Sequence, residues 1–471
     1  MIPAFALSLS KWIGITTTSN SLRRLCYYCA IASVAIFFCA CQASTSKSVN
    51  GSKDSTTVLN LPAPSPISKA DSIRIHNACA GWYDTALNIN GFNGGMIVAY
   101  KGNIVFERYN GTIHLPGKDT ITASTPMQVA STSKTFTAMG VLKLWQDGKL
   151  SIDDEYSKYF PEFNYPGVTI RSLLNHRSGL PNYIYFMENL GWDKTKFVTN
   201  EDVLNYLITR KADLENVATP DTHFSYSNTN YALLALLIEK VSGKKLPAFL
   251  KETFFLPLQM NNTFVYGLAD TAKMTPSYDW RERIMPLNFL DPVYGDKNVY
   301  TTPHDLLQWD RGLNSGLIFK PETLQQAYAP YSNEKAGTKN YGLGWRMTLY
   351  PEGKKIIFHN GWWHGCNAAF IRLLQDSATI ILISNKFNRA VYHSKVLANI
   401  FGEYYNTGEE EEAENAKSTD SSGFTRVDNH TLINSGSFSV KKKIHIPTPN
   451  KRSAAVKSPH KKTARSKKRR R

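Results

Sequence analysis

The chain has 471 residues, of which 42% are apolar and 12% aromatic, so it is long enough to bury a substantial core. Its formal net charge of +17 is concentrated at the two ends. Residues 441–471 hold fourteen Lys or Arg and residues 1–40 hold three, without any Asp or Glu, which leaves residues 41–440 with no net charge. This balance argues against a polyanionic substrate for the central region, and no specific nucleic acid partner is expected.

Residues 1–40 are predicted to be an export signal. Arg23 and Arg24 precede an apolar stretch over residues 25–40, which is short for a membrane span and suits a signal-peptide core. Small residues before Cys41 and a polar run after it resemble a bacterial lipoprotein cleavage site. We therefore predict an exported bacterial protein, periplasmic or at the cell surface, that is anchored to the membrane by lipid on Cys41. Plain cleavage and a retained anchor are the alternatives.

The region after the signal is predicted to be a tether followed by a helix and a hairpin. Residues 41–68 are rich in Ser, Thr, Lys and Pro, a composition typical of flexible linkers. A first helix is expected over about residues 69–87. Residues 95–108 then have the pattern of a β-hairpin that turns at residues 101–103.

A candidate nucleophile lies at the start of the next predicted helix. Ser131 and Lys134 are three positions apart, so on a helix they share a face and Lys134 Nζ can reach Ser131 Oγ. Serine needs a neighbouring base to become a nucleophile, and a desolvated lysine can be that base. Phe136, Met139 and Leu142 follow at helical spacing and predict a helix buried on one side. The positive end of this helix would favour an oxyanion at Ser131.

Strand patterns return towards the end of the central region, and a final helix is predicted over about residues 390–404. The predicted strands lie at about residues 341–348, 354–360, 366–374 and 378–384. Strands at both ends with helical patterns between them predict an antiparallel sheet that is built from both termini and carries an inserted helical lobe. The active site is expected in the cleft between the sheet and the lobe.

Residues 406–471 are predicted to form a disordered tail that is first acidic and then strongly basic. The basic part is expected to contact anionic surface polymers or lipids. The alternative is a solvated tail without a fixed partner.

Two later segments supply the context for Ser131 and Lys134. Residues 226–228 (Tyr-Ser-Asn) and 359–361 (His-Asn-Gly) follow in an order and spacing that resemble the three motifs of the serine β-lactamase and penicillin-binding protein superfamily. The specific resemblance is to class C β-lactamases, DD-peptidases and related esterases. Four further segments resemble the same family: residues 148–154, 170–183, 295–306 and 341–345.

The resemblance covers about residues 70–405 and implies a single catalytic domain, predicted at residues 69–405. The implied fold is α/β (α+β) of the β-lactamase/transpeptidase type. Its antiparallel sheet is flanked by helices and carries an inserted, mainly helical lobe.

The resemblance implies a role for each residue of the first two motifs. Ser131 is the nucleophile and Tyr226 is its partner base, while Lys134 either stabilises the Tyr226 phenolate or takes the proton itself. These two roles of Lys134 stay open because a close pair of titrating groups behaves as a unit. Asn228 would donate a hydrogen bond to the substrate amide or ester oxygen, or else cap a helix that begins near Thr229.

The third motif is assigned to the substrate side of the site. The oxyanion hole is implied at the backbone N–H groups of Ser131 and Trp362, and Gly361 would let the substrate backbone approach the strand. His359 stands where class C enzymes carry lysine. Imidazole is a less dependable cation, so we expect weaker recognition of a substrate carboxylate than in a dedicated β-lactamase. Trp362 replaces a small residue and either contacts substrate or lies in the core or lip.

Three residues outside the motifs are expected to have structural roles. His176 is expected to pin a loop by hydrogen bonding rather than act as a base. Cys79 and Cys366 are either paired, since the first helix and last strands of this fold are neighbours, or two buried free thiols. The Cys and His spacings match no metal-ligand pattern, so no metal and no cofactor are expected.

The sequence therefore predicts a secreted serine hydrolase that acts through an acyl-enzyme on amide or ester bonds of a small molecule or peptide. D-amino-acid peptides of the cell wall and β-lactams are candidate substrates. Two alternatives stay open: an esterase acting on small esters, and a penicillin-binding sensor or scaffold that is acylated without turnover. A surface-binding lipoprotein with a vestigial site is disfavoured, because the polar residues of the first two motifs are all present.

Overall fold

The structure, a computed structural model, describes residues 57–334 and 337–404. Its strands in chain order are β1 Gly94–Tyr100, β2 Asn103–Asn110, β3 Met127–Gln128, β4 Phe264–Val265, β5 Val299–Thr301, β6 Lys339–Tyr341, β7 Arg346–Leu349, β8 Lys355–Trp363, β9 Cys366–Leu373 and β10 Ala378–Ser384. Within this part of the chain, one seven-stranded sheet has the order β2-β1-β10-β9-β8-β7-β6, and a small sheet has the order β3-β5-β4. All strand pairs are antiparallel. The predicted sheet, built from both ends of the domain, is confirmed.

Most helices lie between β2 and β6 in sequence. The α-helices are α1 Lys69–Trp82, α2 Ser133–Gln146, α3 Ile170–Leu174, α4 Tyr183–Asn189, α5 Asn200–Thr209, α6 Asn228–Ser242, α7 Leu246–Leu250, α8 Pro303–Asn314 and α9 Pro321–Ala327. Helix α1 continues as a π-helical turn over Tyr83–Leu87, so the first predicted helix is confirmed. The last predicted helix is present as a 3-10 segment over Arg389–Ile400.

The sheet separates two apolar cores, and the central strands supply both. Met96 and Val98 of β1 pack with helix α1 and the segment Arg389–Ile400, whereas Ile97 and Ala99 face the larger core with the inserted helices. Successive side chains of a strand point to opposite faces, so a strand covered on both sides is apolar at every position. Strand β10 is divided in the same way: its even-numbered residues from 378 to 382 pack with helix α1, and Ile381 and Ile383 face the larger core.

Helix α2 is covered on nearly every side, which corrects the prediction of a helix buried on one side. Every residue from Ser133 to Leu142 is buried. Helix α6 packs against it, and the ring of Phe136 stacks on Trp309 with centroids 4.8 Å apart. Polar groups on such a helix must find partners inside the protein. Lys134 and its contacts therefore belong to the interior.

The strand predicted over residues 341–348 is two strands, β6 and β7, because the chain between them turns inward. Gly344 has φ 86°, and a Cβ there would lie 2.2 Å from Ala138 Cβ of helix α2. Only glycine allows this close approach and this backbone conformation together. The interruption of the strand is therefore dictated by packing.

Part of the predicted tether is packed on the domain. The Leu59 N–H donates to Pro257 O at 2.8 Å, the Ser65 N–H donates to Lys101 O at 3.0 Å, and Leu61 packs against the larger core. The prediction of a flexible linker is therefore wrong for residues 59–65. The predicted signal, Cys41 and the tail at residues 406–471 lie outside the described residues.

The two cysteines of the domain are free thiols, so the disulfide alternative is not adopted. Burial raises the pKa of both Cys79 and Cys366 to about 12, which makes them unreactive at neutral pH. Across residues 57–334 and 337–404, none of the helices combines the length and the apolar character that a membrane crossing requires.

Candidate active site

Ser131 lies in a tight turn that leads into helix α2. A 3-10 turn over Ala130–Thr132 precedes the helix, and Ala130 has φ 46° although it carries a side chain. A left-handed non-glycine residue costs of order 1–3 kcal/mol and persists only where its surroundings fix it. Ala130 and Thr132 are buried, whereas Ser131 is half-buried. The strained turn thus leaves the hydroxyl-bearing residue partly accessible between two covered neighbours.

Lys134 is fully buried and makes three hydrogen bonds. Its Nζ donates to Ser131 Oγ at 3.1 Å, to Asn228 Oδ1 at 2.7 Å and to Asp296 O at 2.8 Å. An ammonium has three donors, so every proton has an acceptor. The contact between Lys134 and Ser131 expected from their spacing is present.

Tyr226 contacts Lys134 through its ring. Lys134 Nζ lies 5.0 Å from the ring centroid, within the range of a cation–π contact, and the Arg346 guanidinium carbon lies 5.0 Å from the same centroid. The His176 ring packs on Tyr226 at a centroid distance of 4.3 Å. Of the two candidate bases, Lys134 is therefore the one hydrogen-bonded to Ser131 Oγ in this state.

Asn228 is the first residue of helix α6, and its side chain is bound to Lys134. Ser227 occupies the N-cap position with φ −135° and ψ 124°, without a side-chain cap. The Asn228 side-chain oxygen accepts from Lys134, so the alternative that Asn228 caps this helix is wrong. Its amide NH₂ is the part available to donate to a substrate oxygen.

His176 pins the loop that carries the second motif, as expected. Its Nδ1 accepts from the Ser227 N–H at 3.2 Å, and its carbonyl oxygen accepts from the Ser225 N–H at 2.8 Å. Burial and then the charge of Lys134 hold the pKa of His176 well below its usual range. A neutral, enclosed imidazole fits a structural role better than proton transfer with substrate.

His359 does not provide the cation expected at the third motif. Its side chain is fully buried on β8, where Nδ1 donates to Asn360 O at 2.7 Å and Nε2 accepts from the Tyr341 hydroxyl at 3.2 Å. Burial, followed by the charges of Arg346 and Lys134, holds the pKa of His359 well below its usual range. The predicted contact between an imidazolium and a substrate carboxylate is therefore contradicted, because both ring nitrogens are engaged inside the protein.

Gly361 is required by the protein's own backbone. A Cβ at Gly361 would lie 2.0 Å from Val129 O and 3.3 Å from Ala130 Cβ. Strand β8 thus passes directly against the segment that leads to Ser131. The close approach brings the first and third motifs together, and the expected role of Gly361 in admitting the substrate backbone stays a prediction.

The turn after the third motif is tied to Asp291. Trp363 Nε1 donates to Asp291 Oδ1 at 2.6 Å, and His364 Nε2 donates to it at 2.9 Å. Trp362 is half-buried, donates from Nε1 to His364 O at 3.0 Å and packs on Phe387 at a centroid distance of 5.7 Å. The side chain of Trp362 is thus anchored on its own turn, which favours the lip alternative.

Several charged residues near the site were not singled out from the sequence. Asp296 and Lys297 lie in a segment that resembled the family, but a resemblance does not indicate which side chains of a segment turn inward. Arg346 begins β7 and packs on Tyr226. Within the described residues, no group of three or more His, Cys, Asp or Glu is arranged to bind a metal ion.

Comparisons with known proteins agree with this fold and these motifs. Residues 88–402 match the family model described as Beta-lactamase. The chain is 31% identical over 366 residues to Penicillin-binding protein 4* of Bacillus subtilis, which covers 73% of this chain and 80% of that protein. It is 27% identical over 336 residues to Protein flp of Staphylococcus aureus, covering 66% of this chain and 60% of that protein. The protein therefore belongs to the beta-lactamase family and is a serine hydrolase.

Solved structures share the fold at lower sequence identity. A penicillin binding protein from Bacillus halodurans superposes with a TM-score of 0.60 at 20% identity, covering 68% of this chain and 98% of that one. D-amino acid amidase from Ochrobactrum anthropi SV3, complexed with L-phenylalanine amide, gives a TM-score of 0.57 at 20% identity, covering 70% and 97%. The beta-lactamase/transpeptidase fold predicted from the sequence is confirmed.

Proposed function

We propose that the protein hydrolyses amide or ester bonds of a small molecule or peptide through an acyl-enzyme on Ser131. The observation that carries this proposal is the buried Lys134, whose Nζ lies 3.1 Å from Ser131 Oγ and 2.7 Å from Asn228 Oδ1. A nucleophile and its base within hydrogen-bond reach, with a third group that orients the base, define an activated serine.

The acylation step follows from this geometry. In its neutral form Lys134 keeps two N–H donors for Asn228 and Asp296 O, and its lone pair accepts the Ser131 proton. Ser131 Oγ then bonds to the substrate carbonyl carbon, and the tetrahedral oxyanion is stabilised by the backbone N–H groups of Ser131 and Trp362. Lys134 returns the proton to the leaving amine or alcohol as the scissile bond breaks.

Deacylation repeats the sequence with water. A water molecule loses a proton to the same base and attacks the ester carbonyl of the acyl-enzyme, and the released Ser131 oxygen regains the proton. The Tyr226 ring lies next to Lys134, which supports its phenol as the second candidate for relaying this proton. The products are a carboxylic acid and an amine or alcohol.

For the substrate we propose D-amino-acid peptides or amides, with β-lactams as compounds that acylate the same serine. The names of Penicillin-binding protein 4* and D-amino acid amidase support this choice. Recognition of a substrate carboxylate requires a cation other than His359, and Arg346 beside the Tyr226 ring carries a permanent charge.

An esterase for uncharged substrates is the second candidate, favoured by the buried, neutral His359. The two candidates are separated by kcat/KM for a matched pair of esters, one with a free carboxylate and one neutral. If the protein recognises a substrate carboxylate through Arg346, it should prefer the ester with the free carboxylate. This preference should be lost in Arg346→Gln but retained in Arg346→Lys. Equal kcat/KM for both esters in the wild type would favour the esterase.

A labelling experiment tests the proposal as a whole. A fluorophosphonate or a fluorescent penicillin should label the wild type at Ser131, and Ser131→Ala should remove the label. Undiminished labelling of Ser131→Ala would contradict the assignment of the nucleophile. Product formation beyond one equivalent of enzyme identifies a hydrolase, whereas a burst without turnover identifies a sensor that is acylated only once.

We propose on sequence grounds alone that the protein is exported and anchored by lipid on Cys41. Cys41→Ser should release the protein from the membrane fraction, while Cys39→Ser, two residues away, should leave it bound. Release of both variants, or of neither, would contradict lipid attachment at Cys41. The basic tail is proposed to add contacts with anionic lipids or polymers, which removal of residues 441–471 should weaken.

A further inference from the structure

A second buried lysine lies next to the proposed site and takes no part in the mechanism above. The Lys297 side chain is only 3% exposed. Its Nζ donates to the Tyr183 hydroxyl and to Val293 O at 3.0 Å, and it lies 5.1 Å and 4.9 Å from the ring centroids of Tyr183 and Trp363. A buried charge is costly unless it is paired, so its partner needs to be identified.

The partner is Asp296, the residue that also contacts Lys134. Asp296 Oδ1 lies 3.6 Å from Lys297 Nζ and has no hydrogen bond, while Oδ2 accepts from the Tyr183 hydroxyl at 3.0 Å. The backbone oxygen of the same residue accepts from Lys134 Nζ at 2.8 Å. Asp296 therefore presents a neutral carbonyl to Lys134 and directs its carboxylate to Lys297 and Tyr183.

We infer that Lys297 is a positioning residue that neutralises the Asp296 carboxylate beside Lys134, so that Lys134 can lose its proton and act as the base. This assignment depends on the proposed role of Ser131 and Lys134. An uncompensated carboxylate next to Lys134 would stabilise its ammonium form, and an ammonium cannot accept the Ser131 proton. An uncompensated Lys297 would have the opposite effect.

The surrounding charges are consistent with this assignment. Burial is the main reason why the pKa of Lys297 is lowered. The carboxylates of Asp296 and Asp291 act in the opposite direction. The charge of Lys134 lowers this pKa further, so the two lysines interact. Asp291 is itself occupied by Trp363 and His364. The other titratable or charged groups around Lys134 are Tyr226, Tyr231, His176, His359 and Arg346. Both histidines are held neutral. The Asp296–Lys297 ion pair is joined to Lys134 through the backbone oxygen of Asp296, and Arg346 is the other permanent charge near the site.

The test is the pH dependence of the rate at which a neutral fluorophosphonate acylates Ser131, a readout that needs no turnover. Loss of a nearby compensating charge moves a titration by about one unit or more. The acidic limb of the profile is the pH range over which the labelling rate falls as the pH is lowered. Lys297→Met should therefore move this limb up by about one pH unit. At a pH below the midpoint of the limb, the variant should be acylated about tenfold more slowly than the wild type. Asp296→Asn should move the limb down, and the double variant should return it close to the wild-type position.

Two further variants separate this effect from a merely structural one. Lys297→Arg keeps the charge and should leave the limb in place. Lys355→Met removes a half-buried lysine that donates to Tyr328 O at 2.8 Å, and it should also leave the limb unchanged. Titration of reactive serine in each preparation corrects for misfolded protein, and Asp296→Asn preserves the test if Lys297→Met fails to fold.

The outcomes distinguish the inference from the proposed function. If the wild type is not labelled at Ser131, the proposed function fails. If it is labelled but Lys297→Met and Asp296→Asn keep the wild-type limb, or move it in the same direction, Lys297 serves only packing and the inference is overturned. Opposite shifts that cancel in the double variant support it.

Discussion

The side-chain oxygen of Asn228 lies 2.7 Å from the ammonium nitrogen of Lys134, so the start of helix α6 is joined to helix α2 inside the protein. This contact holds Lys134 in place, and in the proposed mechanism the Asn228 NH₂ group donates to the substrate. Two residues that are distant in sequence are therefore hydrogen-bonded in the proposed site.

Asn228→Asp should lower the rate of acylation at neutral pH by about 10²-fold or more, because a carboxylate against Lys134 stabilises its ammonium form. The rate of fluorophosphonate labelling measures this effect. The matched control is Asn90→Asp, an exposed position whose side chain donates only to Ala86 O. It should label at the wild-type rate. Equal rates for the two variants would show that Asn228 does not act on Lys134.

Lys134→Met should lower acylation by about 10²–10⁴-fold, the range of a positioned proton transfer, and Tyr226→Phe should lower it less. The reason is that Lys134 hydrogen-bonds Ser131 Oγ, whereas Tyr226 contacts Lys134 through its ring, which phenylalanine retains. Pre-steady-state labelling of both variants and of the double variant gives the comparison. A larger loss in Tyr226→Phe would identify the phenol as the base instead.

The free energy of unfolding should fall as the pH drops below about 6.5, because His359 and His176 are buried in neutral form with lowered pKa values. Below the ordinary histidine pKa the unfolded chain binds protons that the folded protein does not bind. This difference in proton binding lowers the free energy of unfolding by about 1.4 kcal/mol per pH unit for each histidine. The stabilisation is present above that pKa and is lost below it.

Urea unfolding between pH 7 and pH 5.5 measures this slope. In His359→Gln the slope should be reduced, since glutamine can donate and accept hydrogen bonds without titrating. An unchanged slope in His359→Gln would mean that this imidazole is protonated in the folded protein.

Gly361→Ala should destabilise the protein and reduce the fraction of molecules that label. The added Cβ would lie 2.0 Å from Val129 O, so either β8 or the turn before Ser131 must move. Gly81→Ala in helix α1 is the control, because a Cβ there meets nothing within 4 Å. It should leave stability unchanged or raise it by up to about 1 kcal/mol. The labelled fraction and the melting temperature are measured for both variants. Wild-type values of both for Gly361→Ala would contradict the close approach of β8 to Val129.

The sequence predicted the elements whose signal is local. The hairpin of β1 and β2, the strands β8 to β10 and the contact of Ser131 with Lys134 follow from alternation, turn residues and helical spacing. These features depend on neighbouring residues, so their patterns are visible in one chain.

The features that were missed depend on residues distant in sequence. His359 is enclosed because Tyr341, on another strand, donates to it, and Gly361 is fixed by the backbone at Val129. Asp296 and Lys297 are adjacent in sequence, and only the folded structure shows that they are buried next to Lys134. Tertiary contacts determine the surroundings of each of these residues, and a local sequence pattern does not indicate such contacts.

The pairing of β1 with β10 has a consequence for how the chain folds. Gly94 is paired with Ser384 and Tyr100 with Ala378. Strand β1, near the start of the domain, therefore needs β10, near its end, to complete its hydrogen bonds. Contacts over such separations make folding slow, because a long loop must close before they form. During synthesis β1 and β2 are the first strands to emerge, after helix α1, and one edge of β1 stays unpaired until nearly the whole domain has left the ribosome. A polypeptide that ends before residue 378 lacks the strand that joins its beginning to the rest of the sheet.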